Sequence, residues 1–533
     1  MMLMKSFVFF LAYAAGGLSD YTENPGTDAE YWLKNGKLKI AEKLKIKLNT
    51  NKAKNLIIFM GDGMSPTTLM AARIYQGQLK NKTGKNENLS FEKFPYTGLI
   101  KSYCVDNIVA DSSCTATAYL GGVRGNSRTV GVSGHVTFND CPASTIASNQ
   151  VDSIMQWAQW AGKATGIVTN TRVTHASPAG AYAHTCNRDW ESDRSKMMSA
   201  NLTDVEQCED IGRQMVTRDP GRNFKVIMGG GRNKLMRKKT NSSGERNDED
   251  LLDKWMADKQ ERFHGKTAKY ITTRKELLTT DMSKTDFLLG LFHDDLLDYR
   301  LKADATKQPT LAEMTSKAIE LLETEKDGFV LFVEGGLIDI ANHGGLAKIA
   351  LDETLELSKA VAAAVKLTRE DDTLIVVTSD HAHVLTMSGY SKWGTDILGL
   401  SEKVDDDKKP YTTLAYASGP RTNTNSWQCH RANYTHVDFG DVDYIYSSMV
   451  PLRHGTHSGD DTIVFARGPW AHLFTGHYEQ TMIPLAMAMA AGISTDPLSN
   501  ELAYSLGISI FSVQHFTTTL VLLFLSIAVQ MLR

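Results

Sequence analysis

The sequence predicts an α/β fold built on a mostly parallel β-sheet. Short apolar, β-branched runs alternate with helical stretches through most of the chain, as they do in βαβ units. The 533 residues are long enough to bury a large core. In the stretch 309–324 the apolar residues recur at the spacing of a helix face packed on a sheet. The predicted strands are 55–60, 98–104, 163–169, 224–228, 286–292, 329–333, 373–378 and 462–466, and the predicted helices are 66–77, 113–120, 152–161, 309–324, 346–367 and 479–491.

Two segments interrupt this alternation. Residues 232–260 are rich in Lys, Arg, Asn and Asp, and we expect a surface excursion there. Residues 392–455 hold few core-like runs and several aromatic residues, which predicts a small inserted lobe over the site. No linker is evident, so 20–505 is predicted to be one domain. The Lys-rich, amphipathic stretch Asp28–Leu48 is either a solvated surface helix or a subunit contact.

The amino-terminal residues 1–19 are typical of a secretory signal peptide, because Lys5 precedes the apolar stretch 7–15. Secretion exposes the cysteines to an oxidising environment, so disulfides are expected, while the sequence alone leaves their pairing open. The six cysteines are Cys104, Cys114, Cys141, Cys186, Cys208 and Cys429. The candidate glycosylation sites are Asn81, Asn88, Asn201, Asn241 and Asn433.

The carboxyl-terminal tail carries a second targeting signal. Residues 516–532 are almost wholly apolar, and only Arg533 follows them. A short spacer and a terminal apolar block fit a signal for a glycosylphosphatidylinositol (GPI) anchor, which predicts removal of 506–533 and attachment at Ser505. The alternative is a transmembrane helix, although the run is short and lacks a basic flank. The anchor would place the protein on the extracellular face of the plasma membrane.

The overall charge argues against nucleic acid as a partner. The formal net charge is −3 at pH 7. Proteins that bind nucleic acids present a basic face to the phosphates, and no such face is evident in this sequence.

Acidic residues follow several of the predicted strands. Asp62 and Glu334 each end an apolar run, and Asp380, His381 and His383 follow a third. One such residue is commonly a helix cap or a turn residue. Three of them at the carboxyl edge of a parallel sheet, with histidines nearby, favour a multi-metal site instead, because buried charge needs a partner.

Ser112 is the candidate nucleophile. It follows Asp111 at the start of a predicted helix of small residues, where unpaired N–H groups suit a phosphate or an oxyanion. The alternative is a simple N-cap. No Gly-x-Ser-x-Gly motif or neighbouring histidine is present to activate the serine, so a metal ion is the candidate activator. Arg188 is a candidate bidentate clamp for phosphate, although a single arginine is usually a surface residue.

Together these motifs resemble those of animal alkaline phosphatases of the secreted, GPI-anchored type. The resemblance implies a three-layer α/β/α sandwich with a small inserted crown-like lobe. It also implies hydrolysis of small-molecule and macromolecular phosphate monoesters through a phosphoserine at Ser112, with two Zn²⁺ ions and one Mg²⁺ ion. The matching segments are 55–64, 109–112, 171–180, 334–336, 379–381 and 465–469.

The resemblance also implies a role for individual residues. The implied ligands are Asp339, His343 and His457 for the first zinc; Asp62, Asp380 and His381, together with Ser112, for the second; and Asp62, Ser177 and Glu334 for magnesium. Arg188 matches the arginine that binds phosphate. His175 and His383 are expected in the outer shell, next to the ligands.

Four positions depart from the family pattern. Ile340 and Asn342 stand where the family usually has histidine. Partners of metal ligands can be worth 10–100-fold in affinity or rate. The alternative function is therefore a catalytically weakened, GPI-anchored surface receptor that keeps the phosphatase fold. His293 and Gln308 replace acidic ligands of the calcium site found in many animal members, which predicts that calcium is absent or weakly bound.

The resemblance further implies a homodimer and one disulfide. Several family members are homodimers in which the amino-terminal helix contacts the partner, a role that falls here to Asp28–Leu48. Cys141–Cys208 matches a bridge of the family. As a further departure, Cys114 stands where the family commonly has Gly, ten residues after Cys104, so a Cys104–Cys114 bridge is expected beside the nucleophile, and Cys186–Cys429 is the remaining pair.

Overall fold

The structure is a computed structural model that describes residues 29–197, 205–240, 243–401, 404, 406, 408–420, 434 and 436–495. The chain divides into two units, one ending at Leu48 and one beginning at Asn49. Of the first unit, the structure describes 29–48, which contains helix α1, Ala29–Leu44, every residue of which is at least partly exposed.

The second unit contains all the strands and the remaining helices. The strands are β1 Asn55–Gly61, β2 Tyr96–Lys101, β3 Ala164–Arg172, β4 Val226–Gly230, β5 Ala268–Ile271, β6 Phe287–Leu291, β7 Phe329–Gly335, β8 Thr373–Thr378, β9 Ala382–His383, β10 Leu385–Met387, β11 Leu414–Gly419, β12 Ser448–Pro451, β13 His457–Ser458, β14 Thr462–Arg467 and β15 Gly476–Glu479. The helices are α2 Pro66–Gln78, α3 Ser112–Gly121, α4 Cys141–Thr145, α5 Ile154–Trp160, α6 Ala176–Ala179, α7 Asp193–Met197, α8 Ile211–Thr217, α9 Arg232–Leu235, α10 Leu251–Arg262, α11 Arg274–Thr279, α12 Leu311–Leu322, α13 Leu337–His343, α14 Ala347–Leu367 and α15 Met482–Ala491.

Ten strands form one sheet in the order β15-β2-β14-β8-β1-β7-β3-β4-β6-β5. The seven strands from β8 to β5 in this order are parallel to one another, whereas β14 runs antiparallel to both β8 and β2. The predicted α/β fold with a mostly parallel sheet is confirmed.

Helices cover both faces of this sheet. Successive residues of a strand point to opposite sides, so the apolar central strands present an apolar surface on each face. In β1, Ile57 and Phe59 pack into a core with α2, α12 and α14. Leu56, Ile58 and Met60 pack on the other side with α3, α5, α8, α10 and α15. The predicted start of α12 is also found, since Thr310 and Glu313 form a reciprocal capping box there.

The eight predicted strands and six predicted helices all overlap observed elements, with ends that differ by a few residues. The edge strands β5 and β15 were not predicted. They are four residues long and half-exposed, so their pairing depends on the strand beside them rather than on a local pattern.

The prediction that 232–260 is only a surface excursion is wrong. Helix α10 buries Trp255 and Lys259 from this segment. Arg246 is fully buried and donates two hydrogen bonds to the carboxylate of Asp210. Some of the charged residues that suggested an exposed segment are therefore buried. Ion pairing, as between Arg246 and Asp210, compensates the cost of burying their charge.

Within the described part of 392–455, β11 and β12 form a small second sheet with β10, which precedes this segment, in the order β10-β11-β12. Beyond it, the chain returns to the main sheet through β13, which pairs with β9 so that His457 lies opposite His383. This pairing brings a histidine from the end of the lobe to the end of β8.

Two predicted disulfides are present in the structure, Cys104–Cys114 and Cys141–Cys208. Cys186 is buried, and its predicted partner Cys429 lies outside the described residues. Asn81 and Asn88 are exposed. Outside the described part also lie 1–19, Asn201, Asn241, Asn433, Ser505 and 506–533. Among the helices described, none combines the length and apolar character needed to cross a membrane.

Candidate metal centre

The predicted acidic residues lie at the carboxyl edge of the sheet. β1 is paired with β8 on one side and with β7 on the other. Asp62 directly follows β1, Asp380 follows β8, and Glu334 is near the end of β7, so these three side chains come from three adjacent strands. Each of them is completely buried.

The first cluster forms around Asp339 on α13. One carboxylate oxygen of Asp339, Oδ1, lies 2.5 Å from His383 Nε2 and 3.3 Å from His457 Nε2. The other, Oδ2, lies 3.2 Å from His343 Nε2. All four side chains offer ligand atoms within 4.8 Å of one another. His383 therefore contacts Asp339 directly, beside the three predicted ligands.

Backbone carbonyls orient two of these imidazoles. His343 Nδ1 lies 2.5 Å from the carbonyl oxygen of Gly455, and His457 Nδ1 lies 2.7 Å from that of Ala110. A proton on each Nδ1 satisfies the carbonyl and turns Nε2 toward the cluster, which is the orientation that a metal ligand requires.

The second cluster surrounds the Ser112 hydroxyl. Ser112 Oγ lies 3.2 Å from His381 Nε2 and donates a hydrogen bond of 3.4 Å to Asp62 Oδ1. His381 Nε2 also lies 3.2 Å from Asp380 Oδ2. Asp380 Oδ1 accepts hydrogen bonds from the backbone N–H groups of Gly63 and His381, whereas Oδ2 has no hydrogen-bond donor among the described residues.

A third cluster contains Asp62, Ser177 and Glu334, with His175 beside them. The Ser177 hydroxyl donates to Asp62 Oδ2 over 3.4 Å. Ligand atoms of Asp62, His175 and Glu334 lie within 4.8 Å of one another. Glu334 Oε1 is buried, and within the described part of the chain no donor reaches it.

Two threonines that the sequence analysis did not identify hold the other oxygen of Glu334. Thr169 and Thr171 both donate to Glu334 Oε2, over 2.5 and 2.9 Å. The alternation Thr-x-Thr at the end of a predicted strand was the available signal, because alternate residues of a strand share one face. The acceptor, Glu334, could not be identified from the sequence, because it lies on β7 and meets the two threonines through the pairing of β3 with β7.

The electrostatics of this edge fit bound divalent cations. Burial raises the pKa of Asp62 well above its ordinary value, and the nearby carboxylates of Asp380, Asp339 and Glu334 raise it further. Burial also raises the pKa values of Glu334 and Asp380. Buried carboxylates, next to imidazoles whose Nε2 atoms face them, form a donor set that cations can neutralise.

Ser112 is the first residue of α3, and Asp111 is its N-cap. The Asp111 carboxylate accepts from the N–H groups of Ser113 and Cys114. Asp111 also pairs with Arg188, whose Nη1 lies 2.9 Å from its Oδ2. Because Asp111 supplies the cap, the Ser112 hydroxyl can face Asp62 and His381.

Ile340 and Asn342 lie on α13 but outside the three clusters. Ile340 packs against the hydrophobic core, and Asn342 Oδ1 accepts a hydrogen bond of 2.9 Å from the Tyr416 hydroxyl. At the two positions where many family members have calcium ligands, Gln308 donates to Asp298, and His293 Nδ1 accepts from a backbone N–H. The departures from the family pattern thus leave the clusters intact.

A parallel sheet whose carboxyl edge gathers carboxylate and imidazole groups around a serine defines a metal-dependent α/β enzyme. The sequence profile of the alkaline phosphatase family matches residues 53–493. The chain belongs to the alkaline phosphatase family.

Individual relatives agree with this assignment. The chain is 42% identical over 488 residues to a membrane-bound alkaline phosphatase of Bombyx mori, which covers 90% of this chain and 88% of the relative. It is 45% identical over 479 residues to the tissue-nonspecific alkaline phosphatase of Gallus gallus, covering 87% and 90%. The solved alkaline phosphatase of the Antarctic bacterium TAB5 shares the fold, with a TM-score of 0.57, 21% identity, and coverage of 84% of this chain and all of that one. These relationships favour an enzyme over the receptor alternative.

A buried ion pair supports the segment that carries His175. Arg172 donates to both carboxylate oxygens of Glu191, and the Thr174 hydroxyl donates to one of them over 2.6 Å. Burial raises the pKa of Glu191, but the Arg172 guanidinium lowers it more, to about 2. Because this is below the usual value of 4.5, ionised Glu191 stabilises the fold at neutral pH, and this stabilisation is lost as the pH falls from about 4.5 toward 2.

We expect Glu191→Gln to lower the free energy of unfolding by roughly 3 kcal/mol at pH 7. The difference in stability between the variant and the unchanged protein should shrink as the pH falls below about 4.5, because the stabilisation from ionised Glu191 is then progressively lost. Thermal unfolding of both proteins in EDTA, from pH 7 to pH 3, measures this without a contribution from metal release.

The matched control is Glu320→Gln, because Glu320 pairs with Lys317 on the surface of α12. Its effect should stay within about 0.5 kcal/mol and be independent of pH. A Glu191→Gln deficit that is the same at pH 7 and pH 3 would show that the ion pair does not supply the stabilisation.

Proposed function

We propose that this protein is an alkaline phosphatase that hydrolyses phosphate monoesters through a phosphoserine at Ser112, with two zinc ions and one magnesium ion. Its family membership makes it a hydrolase of phosphoric monoesters. The observation that carries the finer proposal is the position of the Ser112 hydroxyl, 3.2 Å from His381 Nε2 and within 3.4 Å of Asp62 Oδ1.

The chemistry of the donor sets supports the choice of ions. Zinc is bound by nitrogen and carboxylate ligands, whereas magnesium prefers oxygen ligands alone. The proposed ligands are Asp339, His343 and His457 for one zinc, Asp62, Asp380 and His381 with Ser112 for the other, and Asp62, Ser177 and Glu334 for magnesium. When bound, two zinc ions would supply Lewis acidity that stabilises negative charge on the entering and leaving oxygens.

The side chains of this chain would carry out the rest of the reaction. The Ser112 hydroxyl donates to Asp62 Oδ1, which orients its hydrogen away from the other face of the oxygen. A bond forms from Ser112 Oγ to phosphorus while the bond to the alcohol oxygen breaks, and the proton given up by Ser112 ends on the alcohol. Water then attacks the phosphoserine: its oxygen leaves in the phosphate, one of its protons restores the Ser112 hydroxyl, and the other leaves with the phosphate.

Arg188 would clamp the phosphoryl group during both steps. Its Nη1 is held by Asp111, and its Nη2 donates to His175 Nε2 over 3.3 Å. These contacts orient the planar guanidinium beside Ser112, and its remaining N–H groups can bind phosphate oxygens. Burial and the positive charge of Arg188 lower the pKa of His175 to about 3, so this imidazole stays neutral and can accept from Arg188.

Ser112→Ala should reduce turnover of p-nitrophenyl phosphate by about 10³-fold or more, because no oxygen remains to accept the phosphoryl group. The phosphoenzyme trapped with labelled substrate should disappear, while the zinc content stays near that of the unchanged protein. Activity assays, acid-quench trapping and metal analysis measure the three quantities.

The matched control is Ser316→Ala on α12, whose hydroxyl only donates to the carbonyl of Ala312 in its own helix. It should keep full activity. Substantial turnover by the Ser112→Ala protein would reject the covalent mechanism.

We also propose a homodimer in which α1 contacts the partner subunit. The helix exposes large apolar side chains, with Leu33 64%, Ile40 62% and Leu44 82% accessible. So many exposed apolar groups on one helix favour a protein contact.

Deletion of residues 29–48 should convert the dimer to a monomer, since it removes the proposed contact. Light scattering behind size-exclusion chromatography measures the mass at micromolar concentration. Replacing the exposed Lys37 and Lys43 by Ser is the control, which should leave the dimer intact. A dimer that persists after the deletion would contradict this role of α1.

The proposed location is the extracellular face of the plasma membrane. The mature chain would be 20–505, with the signal peptide 1–19 and the carboxyl-terminal segment 506–533 removed and a GPI anchor at Ser505. The apolar tail 516–532 and the membrane-bound relative support the anchor. Glycans at the exposed Asn81 and Asn88 fit an extracellular surface.

A further inference from the structure

A side chain from β3 caps the helix that carries two of the proposed zinc ligands. Helix α13 has no cap from its own N-cap residue, Gly336. Instead, Oδ1 of Asn170 accepts hydrogen bonds from the backbone N–H groups of Gly336, over 2.7 Å, and Leu337, over 3.2 Å. These are N–H groups that a helix start leaves unpaired, so Asn170 fixes where α13 begins.

Contacts on both sides set the direction of the Asn170 amide. The backbone N–H groups of α13 can only donate, so the amide oxygen must face α13 and the amide nitrogen faces Glu353 on α14. Glu353 Oε2 accepts a hydrogen bond of 3.1 Å from Asn170 Nδ2, and its Oε1 accepts from the backbone N–H of Arg300 over 2.6 Å. Burial raises the pKa of Glu353 to about 8.

Both side chains are buried, with Asn170 5% and Glu353 2% exposed. They also border a cavity of about 110 Å³ together with Leu337. Neighbouring atoms therefore do not enclose the pair completely, and hydrogen bonds rather than packing set its orientation. A mismatched donor or acceptor at this place would be buried and costly.

The same strand end holds a further ligand. Thr169 and Thr171, on either side of Asn170, donate to Glu334, a proposed magnesium ligand. Three successive residues of β3 thus form hydrogen bonds with both Glu334 and the start of α13. The position of Asp339 relative to the other clusters depends on this contact, since Asp339 lies in the first turn of α13.

We propose that Asn170 and Glu353 are a positioning pair that fixes α13, and with it Asp339 and His343, in the geometry that retains zinc. This inference rests on the proposed zinc site. The pair touches neither the substrate nor the reacting atoms, so it acts only through the ligands that it places.

The test exchanges donor and acceptor across the pair. Asn170→Asp places two carboxylates against each other, and Glu353→Gln removes one of the two acceptor oxygens that Asn170 and Arg300 share. In the double variant, the Asp carboxylate can accept from Gly336, Leu337 and the new Gln amide, while the Gln oxygen accepts from Arg300. The double variant therefore keeps the number of hydrogen bonds and the net charge.

Zinc retention is measured as the rate at which a chromogenic chelator removes zinc from the loaded protein, with thermal unfolding as the check on folding. Each single variant should lose zinc about tenfold faster or more, as is typical when a partner of a metal ligand is lost. The double variant should return close to the unchanged rate. Glu320→Gln is the control, because Glu320 lies on α12 and pairs with Lys317; its zinc release should be unaffected.

Folded single variants that keep zinc like the unchanged protein would overturn the proposal, as would a double variant that is unfolded or still releases zinc rapidly. If a single variant does not fold, the double variant decides. Zinc release is measured without substrate, so a failure of the Ser112 mechanism would not alter this result.

Discussion

The burial of four carboxyl groups at one edge of the sheet is the constraint on which the rest of this structure depends. Asp62, Glu334, Asp339 and Asp380 lie at this edge, and each is at most 3% exposed. Burial raises the pKa values of Asp62, Glu334 and Asp380, whereas two neighbouring histidines hold the pKa of Asp339 well below its ordinary value. Such a concentration of buried acidic groups is costly without bound cations, so the same groups form a candidate metal site.

The parallel sheet gathers these groups from distant parts of the sequence. Adjacent strands β8, β1 and β7 end side by side, so their terminal residues meet although more than 300 residues separate Asp62 from Asp380. The lobe then returns the chain through the short pairing of β13 with β9, which delivers His457. Around this edge, Thr169 and Thr171 donate to Glu334, and Asn170 accepts from the start of α13.

The sequence predicted the fold and the strand-end groups because both depend on local patterns. Apolar runs indicated the central strands, and acidic residues at their ends indicated the metal-binding edge. The edge strand β5 and the buried Arg246 escaped prediction, since their environment is set by neighbours distant in sequence. The same holds for Asn170 and Glu191, whose residue types are ordinary and whose roles come from pairing across the fold. Resemblance to a family supplied individual ligand roles that spacing alone left open.

Anomalous X-ray scattering at the zinc absorption edge, from crystals of the metal-loaded protein, tests the central claim most directly. The account predicts two zinc peaks per chain, one between Asp339, His343 and His457 and one beside Ser112. Crystals grown with zinc that show no anomalous peak at either cluster would contradict it.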